Sequence, residues 1–327
     1  MLLGEIYELA VQMGLEADVR GKEAIEQLLA RARREYDQAK AEEKEFFDLE
    51  SLRHPFHDTR ILVGDADTEV STALCGIDME TPELLLAAWL RERGRPVDLV
   101  ISHHPEGTAQ AALHSVMDLQ ADLFHQAGVP ITVAEGLMAS RIAEVERAIA
   151  PVNHQRAIDA ARLLGLPFMC VHTAADNLVN RYLQTRLDQA RPSTVGEVME
   201  VLESIPEYRQ ARRLKAGPRL FVGDKKRRAG RVLVDMTGGT SGSEKMYEKL
   251  AAAGVGTVVC MHMQEKHRKN AQDHCVNVVM AGHMASDSLG LNLFLDEVEK
   301  RGVSIIPAAG FIRVRRSRDG AGELVRE

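Results

Sequence analysis

The feature that most constrains the fold is the stretch 98–105, with the sequence DLVISHHP. Its apolar run is typical of a buried strand. Pro105 can continue neither a strand ladder nor a helix interior, so we predict a turn there. His103 and His104 then lie at the carboxyl end of a strand, where α/β sheets hold their ligand sites. A metal site at this point requires more histidines and carboxylates from other parts of the chain.

Around that strand the chain alternates between strand and helix patterns, which predicts an α/β fold with a largely parallel or mixed sheet. Each half of the chain contains strand–helix–strand units that end in turns with histidines, so we expect two related halves. The strands are predicted at residues 60–63, 70–77, 97–101, 130–133, 168–171, 219–222, 231–235, 257–261, 276–280 and 304–307. Helices are predicted at 81–93, 109–126, 138–150 and 153–164, and the polar segment 190–217 is also predicted to be helical.

The first 56 residues are predicted to form an N-terminal helical extension. Apolar residues at helical spacing end at Gly14, and a second, charge-rich helix is predicted from residue 21 to residue 49. We interpret the second helix as a packed surface helix, and an oligomerisation arm or a substrate lid is the weaker alternative. Residues 57–327 form the predicted main domain.

Composition excludes several classes of protein. The chain has 327 residues and a net charge of −7, which argues against a nonspecific binder of nucleic acid or acidic membranes. It contains no apolar run of about eighteen residues, so no transmembrane helix is predicted, and no signal peptide is recognised. The four cysteines are scattered without a CxxC motif, which predicts buried free thiols and a cytoplasmic location.

Three short segments, each at a predicted strand end, contain side chains that bind metals. They are His103-His104, His172 with Asp176, and His283 with Asp287. The last pair is four residues apart, which on a helix places both side chains on one face. Mixed imidazole and carboxylate ligands suit zinc, manganese or iron. Adjacent histidines on an extended strand point in opposite directions, so they suit two ions better than one.

Each segment also has a simpler interpretation. The two histidines after the strand are compatible with a turn that holds hydrogen-bonded imidazoles. Asp176 is compatible with a helix cap, and Asp287 with a solvated carboxylate in the first turn of a helix. His172 is interpreted as a residue that supports the ligands rather than as a ligand. The order of all three segments in one chain favours the metal site.

Longer segments resemble a known family. The segments ILVGDADTEVSTALCGIDMETPELLLAA, VDLVISHHPEG, CVHTAADN, VLVDMTGGTSGSEKMYEKLAAAGVGTVV and CVNVVMAGHMASD are similar, in order, to the landmarks of the Nif-three-like (Ngg-interacting-factor-three) proteins. Bacterial members are often catalogued as GTP cyclohydrolase type-two-like. The resemblance covers about residues 59–315. It implies mixed sheets with flanking helices, two divalent metal ions (zinc, manganese or iron), and a toroidal homohexamer with the metal sites facing an internal cavity.

By position, the resemblance assigns the metal ligands to His103, His104, Asp176, His283 and Asp287. The chain departs from the family at three points and is therefore a divergent member. Asp287 stands where the family has glutamate, Glu106 replaces an apolar residue, and Cys260-Met261-His262 replaces a Thr-Gly-acid element. The stretches at about 135–166 and 190–217 are interpreted as helical insertions.

Two functions are compatible with these residues. The first is a metal-dependent hydrolase of a small nucleotide-like or phosphorylated substrate, with Glu265 and His267 as candidate catalytic acid–base groups. The second is a non-catalytic, metal-binding oligomeric scaffold or regulatory protein. The glycine-rich loop 238–242 is interpreted as a tight turn close to the metal site, and anion binding at the following helix is the alternative.

Overall fold

The structure is a computed structural model that describes residues 1–316 and 322–325. The last residues of the predicted main domain, 317–321 and 326–327, lie outside the described residues. The described strands are β1 (Thr59–Val63), β2 (Thr72–Gly76), β3 (Leu99–Ser102), β4 (Phe168–Val171), β5 (Arg219–Val222), β6 (Arg231–Asp235), β7 (Val255–Cys260), β8 (Asn277–Met280), β9 (Ser304–Pro307), β10 (Val314–Arg316) and β11 (Gly322–Leu324).

Helices connect and cover these strands. They are α1 (Leu3–Ala17), α2 (Lys22–Gln38), α3 (Ala41–Lys44), α4 (Thr81–Glu92), α5 (Gly107–Ala111), α6 (Leu119–Gln126), α7 (Ile131–Ile149), α8 (Arg156–Leu164), α9 (Thr173–Ala190), α10 (Val195–Glu203), α11 (Pro206–Arg213), α12 (Met246–Ala252), α13 (Glu265–Asp273) and α14 (His283–Glu299). Two 3-10 helices span Leu49–Leu52 and Leu113–Asp118. No helix in the described part of the chain is both long and apolar enough to cross a membrane.

The strands form two mixed sheets and a small hairpin. The first sheet has the order β1-β4-β3-β2-β9, in which β1 runs antiparallel to β4 and the other pairs are parallel. The second sheet has the order β5-β8-β7-β6, in which only β5 is antiparallel to its neighbour. Strands β10 and β11 form the hairpin. The predicted α/β class with mixed sheets is therefore confirmed.

The two sheets repeat one topology, as expected for two related halves. Strands β1, β2, β3 and β4 of the first sheet correspond in order and direction to β5, β6, β7 and β8 of the second. The helix after β4 is α9 and the helix after β8 is α14, and these two helices pack against each other between the sheets. The metal-binding segments that follow the two corresponding strands therefore meet at this helix pair.

Three local predictions of secondary structure are wrong. The segment 130–133 is not a strand, because Pro130 precedes helix α7, whose buried residues Ala134 and Met138 recur at helical spacing. The helix predicted for 21–49 ends at Gln38, where Ala39 turns to an extended conformation. The helix predicted for 109–126 is divided into α5, a 3-10 helix and α6.

Helix α1 belongs to the main hydrophobic core. Its residues Leu3 and Ile6 are fully buried in the same cluster as residues of the first sheet. Gly14 of α1 lies so close to α9 that a Cβ atom there would be 2.7 Å from the Cβ of Ala174. The first helix of the predicted extension therefore supports the same helix, α9, that contains Asp176.

The predicted burial of the free cysteines is observed at three of four positions. Cys75, Cys170 and Cys260 are buried free thiols, whereas Cys275, also free, is exposed. Cys275 follows the end of α13 and has a φ of 59°, so the chain turns at this residue before strand β8 begins.

The contact between α9 and α14 generates the first prediction. A Cβ atom at Gly290 of α14 would collide with the backbone oxygen of Ala175, which cannot move without shifting α9. We expect Gly290→Ala to lower the free energy of unfolding by about 2 kcal/mol, as overpacking does elsewhere. Gly136 of α7 is the matched control, because nothing lies within 4 Å of a Cβ there. Gly136→Ala should raise stability by up to about 1 kcal/mol. Equal effects in urea titrations of the two variants would contradict the proposed packing constraint.

Candidate metal centre

Strand β3 positions the first two histidines. The backbone N–H groups of His103 and His104 donate to the carbonyls of Gly76 and Ile77, both at 2.9 Å, so pairing with β2 continues beyond Ser102. His103 is fully buried, and its Nδ1 lies 3.0 Å from the carbonyl oxygen of Val171. Because a carbonyl only accepts, Nδ1 donates and Nε2 holds the free lone pair.

His104 is oriented in the same way from the other side of the strand end. Its Nδ1 lies 2.6 Å from the Oδ1 atom of Asp78, which follows β2. Its Nε2 lies 3.4 Å from the Oδ2 atom of Asp287. The two adjacent histidines therefore present their Nε2 atoms to a common region, and each has an outer partner that fixes the ring.

The second half contributes the start of α14. Gly282 precedes the helix with a φ of 112°, and a Cβ atom there would lie 2.6 Å from the backbone oxygen of Ala216, so this position requires glycine. The helix then presents His283 and Asp287 from one face, with 3.4 Å between the His283 Nε2 and Asp287 Oδ2 atoms. The predicted helical spacing of this pair is thus observed.

The carboxylate of Asp287 lies between two groups of ligands. Its Oδ1 is 3.6 Å from the Nε2 atom of His103, which is itself 3.4 Å from Oδ1 of Asp176. Its Oδ2 faces His104 and His283. Potential ligand atoms lie within 4.8 Å of one another in three overlapping groups: His103, Asp176 and Asp287; His104, His283 and Asp287; and His103, His104 and His172.

Buried polar atoms without partners test whether this cluster fits a metal ion. Nε2 of His103, Oδ1 of Asp176 and both carboxylate oxygens of Asp287 are buried and have no hydrogen-bond partner among the described residues. Leaving such groups unpaired costs free energy, and far more when they are charged. Cations bound among these groups would give such atoms partners, so the residues could hold a metal ion.

The charges of the cluster depend on one another. Burial raises the pKa of Asp287, but His103, His104 and His283 outweigh burial and lower that pKa to about 2. Burial lowers the pKa of His104, but its contacts with Asp287 and Asp78 prevail and raise the pKa to about 10. Burial keeps the pKa of His283 below its ordinary value. The cluster thus holds negative carboxylates that require positive charge nearby.

His172 is part of the same cluster. It follows β4, and its Nδ1 lies 2.8 Å from the Oδ2 atom of the fully buried Asp58. Burial raises the pKa of Asp58, but the bonds with His172 and Thr173 outweigh burial and lower that pKa. The Nε2 atom of His172 faces Asp176 at 3.8 Å.

Neither predicted acid–base residue belongs to the three groups of potential ligand atoms among the described residues, and His267 lines a cavity that Asp176 and His262 also line. The exposed carboxylate of Glu265 pairs with Arg268 through two hydrogen bonds of 2.9 and 2.8 Å on the first turn of α13. His267 is buried, and its Nε2 lies 3.0 Å from the carbonyl oxygen of Gly242, which it anchors. The structure therefore does not bring either side chain to the metal ligands. His262, which belongs to the segment that departs from the family pattern, lies beside the cluster: its Nε2 is 3.1 Å from Nε2 of His283.

A narrow cavity of about 30 Å³ adjoins the cluster at the carboxyl edge of the second sheet. Asp176 and His262 line this cavity, together with residues 239–243, which include most of the glycine-rich loop 238–242. Gln120 of α6 holds that loop by donating to the carbonyl of Gly238 at 2.9 Å. Asp235, the last residue of β6, also lines the cavity, and burial raises its pKa to about 7.

Asp58 and Asp78, which orient two of the imidazoles, are functional residues that the sequence analysis missed. Asp78 had a usable signal, because it follows β2 and the carboxyl ends of parallel strands meet at one edge of the sheet. Asp58 had none: it precedes β1, and it reaches this edge only because β1 runs antiparallel to β4.

Comparison with solved structures identifies the fold. A NIF3 superfamily protein from Sphaerobacter thermophilus superimposes with a TM-score of 0.74 at 23% identity, covering 95% of this chain and 100% of that one. The chain has the NIF3 fold. Reduced HcgD from Methanocaldococcus jannaschii has a TM-score of 0.51 at 15% identity, covering 81% of this chain and 94% of that one. The resemblance stated from the motifs is thus confirmed at the level of the NIF3 fold, and the low identities agree with a divergent chain.

Searches by sequence gave no further relatives. No protein-family model matches the chain, and no curated protein matches it. The NIF3 fold of this chain is therefore established by the comparison of structures.

The raised pKa of Asp235 generates the second prediction. An unfolded aspartate has a pKa near 3.9, so the folded protein prefers the protonated form and its stability falls as pH rises from about 4 to about 7. Asp235→Asn removes this loss. We expect the variant to gain stability relative to the unaltered protein with increasing pH and to reach a constant difference above pH 7. Thermal unfolding at pH 5 and pH 8 measures this, and a difference that is the same at both pH values would contradict the burial of a free carboxyl group.

Proposed function

We propose that this protein is a divergent NIF3 family member that binds two divalent metal ions. With these ions it acts as a hydrolase of a small nucleotide-like or phosphorylated substrate. The observation that carries the metal centre is the set of four buried, unpartnered ligand atoms on His103, Asp176 and Asp287. The motifs that resemble the family support the same five ligands: His103, His104, Asp176, His283 and Asp287.

The charge of the cluster supports two ions rather than one. Four carboxylates, those of Asp58, Asp78, Asp176 and Asp287, contact the cluster histidines. With neutral imidazoles they supply four negative charges, which two divalent cations balance. The carboxylate of Asp287 has one oxygen toward each ligand group, as a bridging ligand requires.

The uneven exposure of the cluster supports a catalytic role. His103, Asp176 and Asp287 are buried, whereas His104 and His283 are partly exposed, with 25% and 34% of their side-chain surfaces accessible. Structural metal sites are closed, and catalytic sites keep a position open to water or substrate. A pair of divalent ions supplies Lewis acidity and an activated water for hydrolysis. The chain's own part is to orient the ligands and to keep one side of the site open.

The alternative function is a metal-binding oligomeric scaffold or regulatory protein. The resemblance supports a self-assembled toroidal hexamer for either function, and the acidic net charge argues against a nucleic-acid partner. The free thiols of the described residues support the proposed cytoplasmic location.

Metal stoichiometry tests the proposed centre. Because Asp287 contacts both ligand groups, Asp287→Asn should weaken the binding of both ions by more than about 100-fold. Loss of an outer partner alone already weakens metal binding by about 10–100-fold. His283→Gln should weaken the binding of only one of the two ions. Asp159→Asn, which alters an exposed carboxylate on α8, is the matched control and should retain both ions. Elemental analysis after dialysis measures the ions, and equal loss in the Asp287 and Asp159 variants would contradict the assignment.

Activity and assembly separate the two functions. We expect the metal-loaded protein to hydrolyse at least one compound in a panel of nucleotides and phosphoesters. Under the enzyme hypothesis, His104→Ala should abolish that activity and leave the oligomer intact in light scattering. If the unaltered, metal-loaded protein shows no activity and His104→Ala loses assembly, the scaffold function is supported and the hydrolase function is contradicted.

A further inference from the structure

We propose that His172 is a sixth metal-binding side chain, which coordinates the same ion as His103 and Asp176, and that buried Asp58 is its positioning residue. This inference rests on the proposed metal centre. It goes beyond the five ligands that the family resemblance assigns, since His172 was expected only to support them.

The contacts of Asp58 determine which nitrogen of His172 is free. The carboxylate of Asp58 accepts hydrogen bonds from the hydroxyl of Thr173 at 2.6 Å and from the backbone N–H of Thr173 at 3.3 Å. It also lies 2.8 Å from Nδ1 of His172. Because a carboxylate accepts, Nδ1 carries the proton and Nε2 presents its lone pair in the neutral ring. Metal-bound histidines are held in this way by carboxylates elsewhere.

The free nitrogen points at the ion site. Nε2 of His172 is 3.8 Å from Oδ2 of Asp176, which is too long for a hydrogen bond. Two ligands bound about 2.0–2.2 Å from one ion lie roughly 3–4.4 Å apart, depending on the angle between them. The separation of 3.8 Å falls in this range. The His172 ligand atom is also within 4.8 Å of those of His103 and His104.

The repeated topology gives an independent argument. His172 and Asp176 are four residues apart where α9 begins after β4, and His283 and Asp287 are four residues apart where α14 begins after the corresponding strand β8. The second pair provides two ligands in the family resemblance. The first pair has the same residue types and the same spacing, one position earlier relative to its helix, since His172 precedes α9 whereas His283 is the first residue of α14. Both members of the first pair are therefore expected to bind.

Paramagnetic proton NMR of the cobalt(II)-loaded protein tests the inference directly. Each coordinated imidazole with a protected N–H gives one strongly shifted, solvent-exchangeable signal. His172→Gln should lose one such signal and bind one ion at least 100-fold more weakly. Asp58→Asn should keep all the signals, shift one of them and weaken binding by about 10–100-fold, the usual effect of an outer partner. His54→Gln is the matched control, because His54 is equally buried beside a carboxylate, Glu50, outside the cluster.

The outcomes distinguish the two proposals. If the unaltered protein binds no cobalt, the metal centre and the role of His172 are both overturned. If it binds two ions and His172→Gln retains every shifted signal, only the role of His172 is overturned. Should His172→Gln fail to fold, as judged by circular dichroism, Asp58→Asn decides, because a spectrum with no shifted signal moved would overturn the inference.

Discussion

The packing of α9 on α14 is the contact on which the site depends. Each helix begins at the carboxyl edge of its own sheet, and the pair crosses where Gly290 lets the backbone of Ala175 approach. The carboxylates of Asp176 and Asp287, which belong to different halves of the chain, consequently both lie within 3.6 Å of the same His103 nitrogen. A wider spacing between the helices would separate the two carboxylates and leave two incomplete half-sites.

This arrangement has an energetic cost that the fold must offset. Asp58, Asp176 and Asp287 are almost completely buried, and burial of an unpaired carboxylate is unfavourable. Asp58 is compensated by three hydrogen-bonding groups, whereas both oxygens of Asp287 have none. The remaining cost is offset by the cores on either side, where α1 packs against α9 and the first sheet. The NIF3 fold therefore stabilises a site in which both oxygens of Asp287 lack a hydrogen-bond partner among the described residues, and this site could hold a metal ion.

Much of the fold followed from patterns with a local physical cause. The buried strands before the histidines and the helix start at residue 81 depend on apolar runs and on proline, and the structure contains them. The strand predicted for 130–133 failed because a four-residue apolar segment after proline is compatible with either a strand or the first turn of a helix. There the burial of Ala134 and Met138 along α7 decided in favour of the helix.

The site was predictable wherever its residues follow parallel strands, and it was not predictable where they depend on tertiary structure. His103, His104 and Asp176 follow strands of the first sheet, and His283 and Asp287 follow β8 of the second, so strand ends in the sequence indicated each half of the candidate site. Glu265 was predicted to be a candidate acid–base group, yet on the first turn of α13 its carboxylate pairs with Arg268. Asp58 shows the converse: no local pattern marks it, and only the antiparallel direction of β1 brings it under His172. The ends of predicted strands therefore identified the candidate ligands and could have identified Asp78, whereas Asp58 could be identified only from the pairing of β1 with β4.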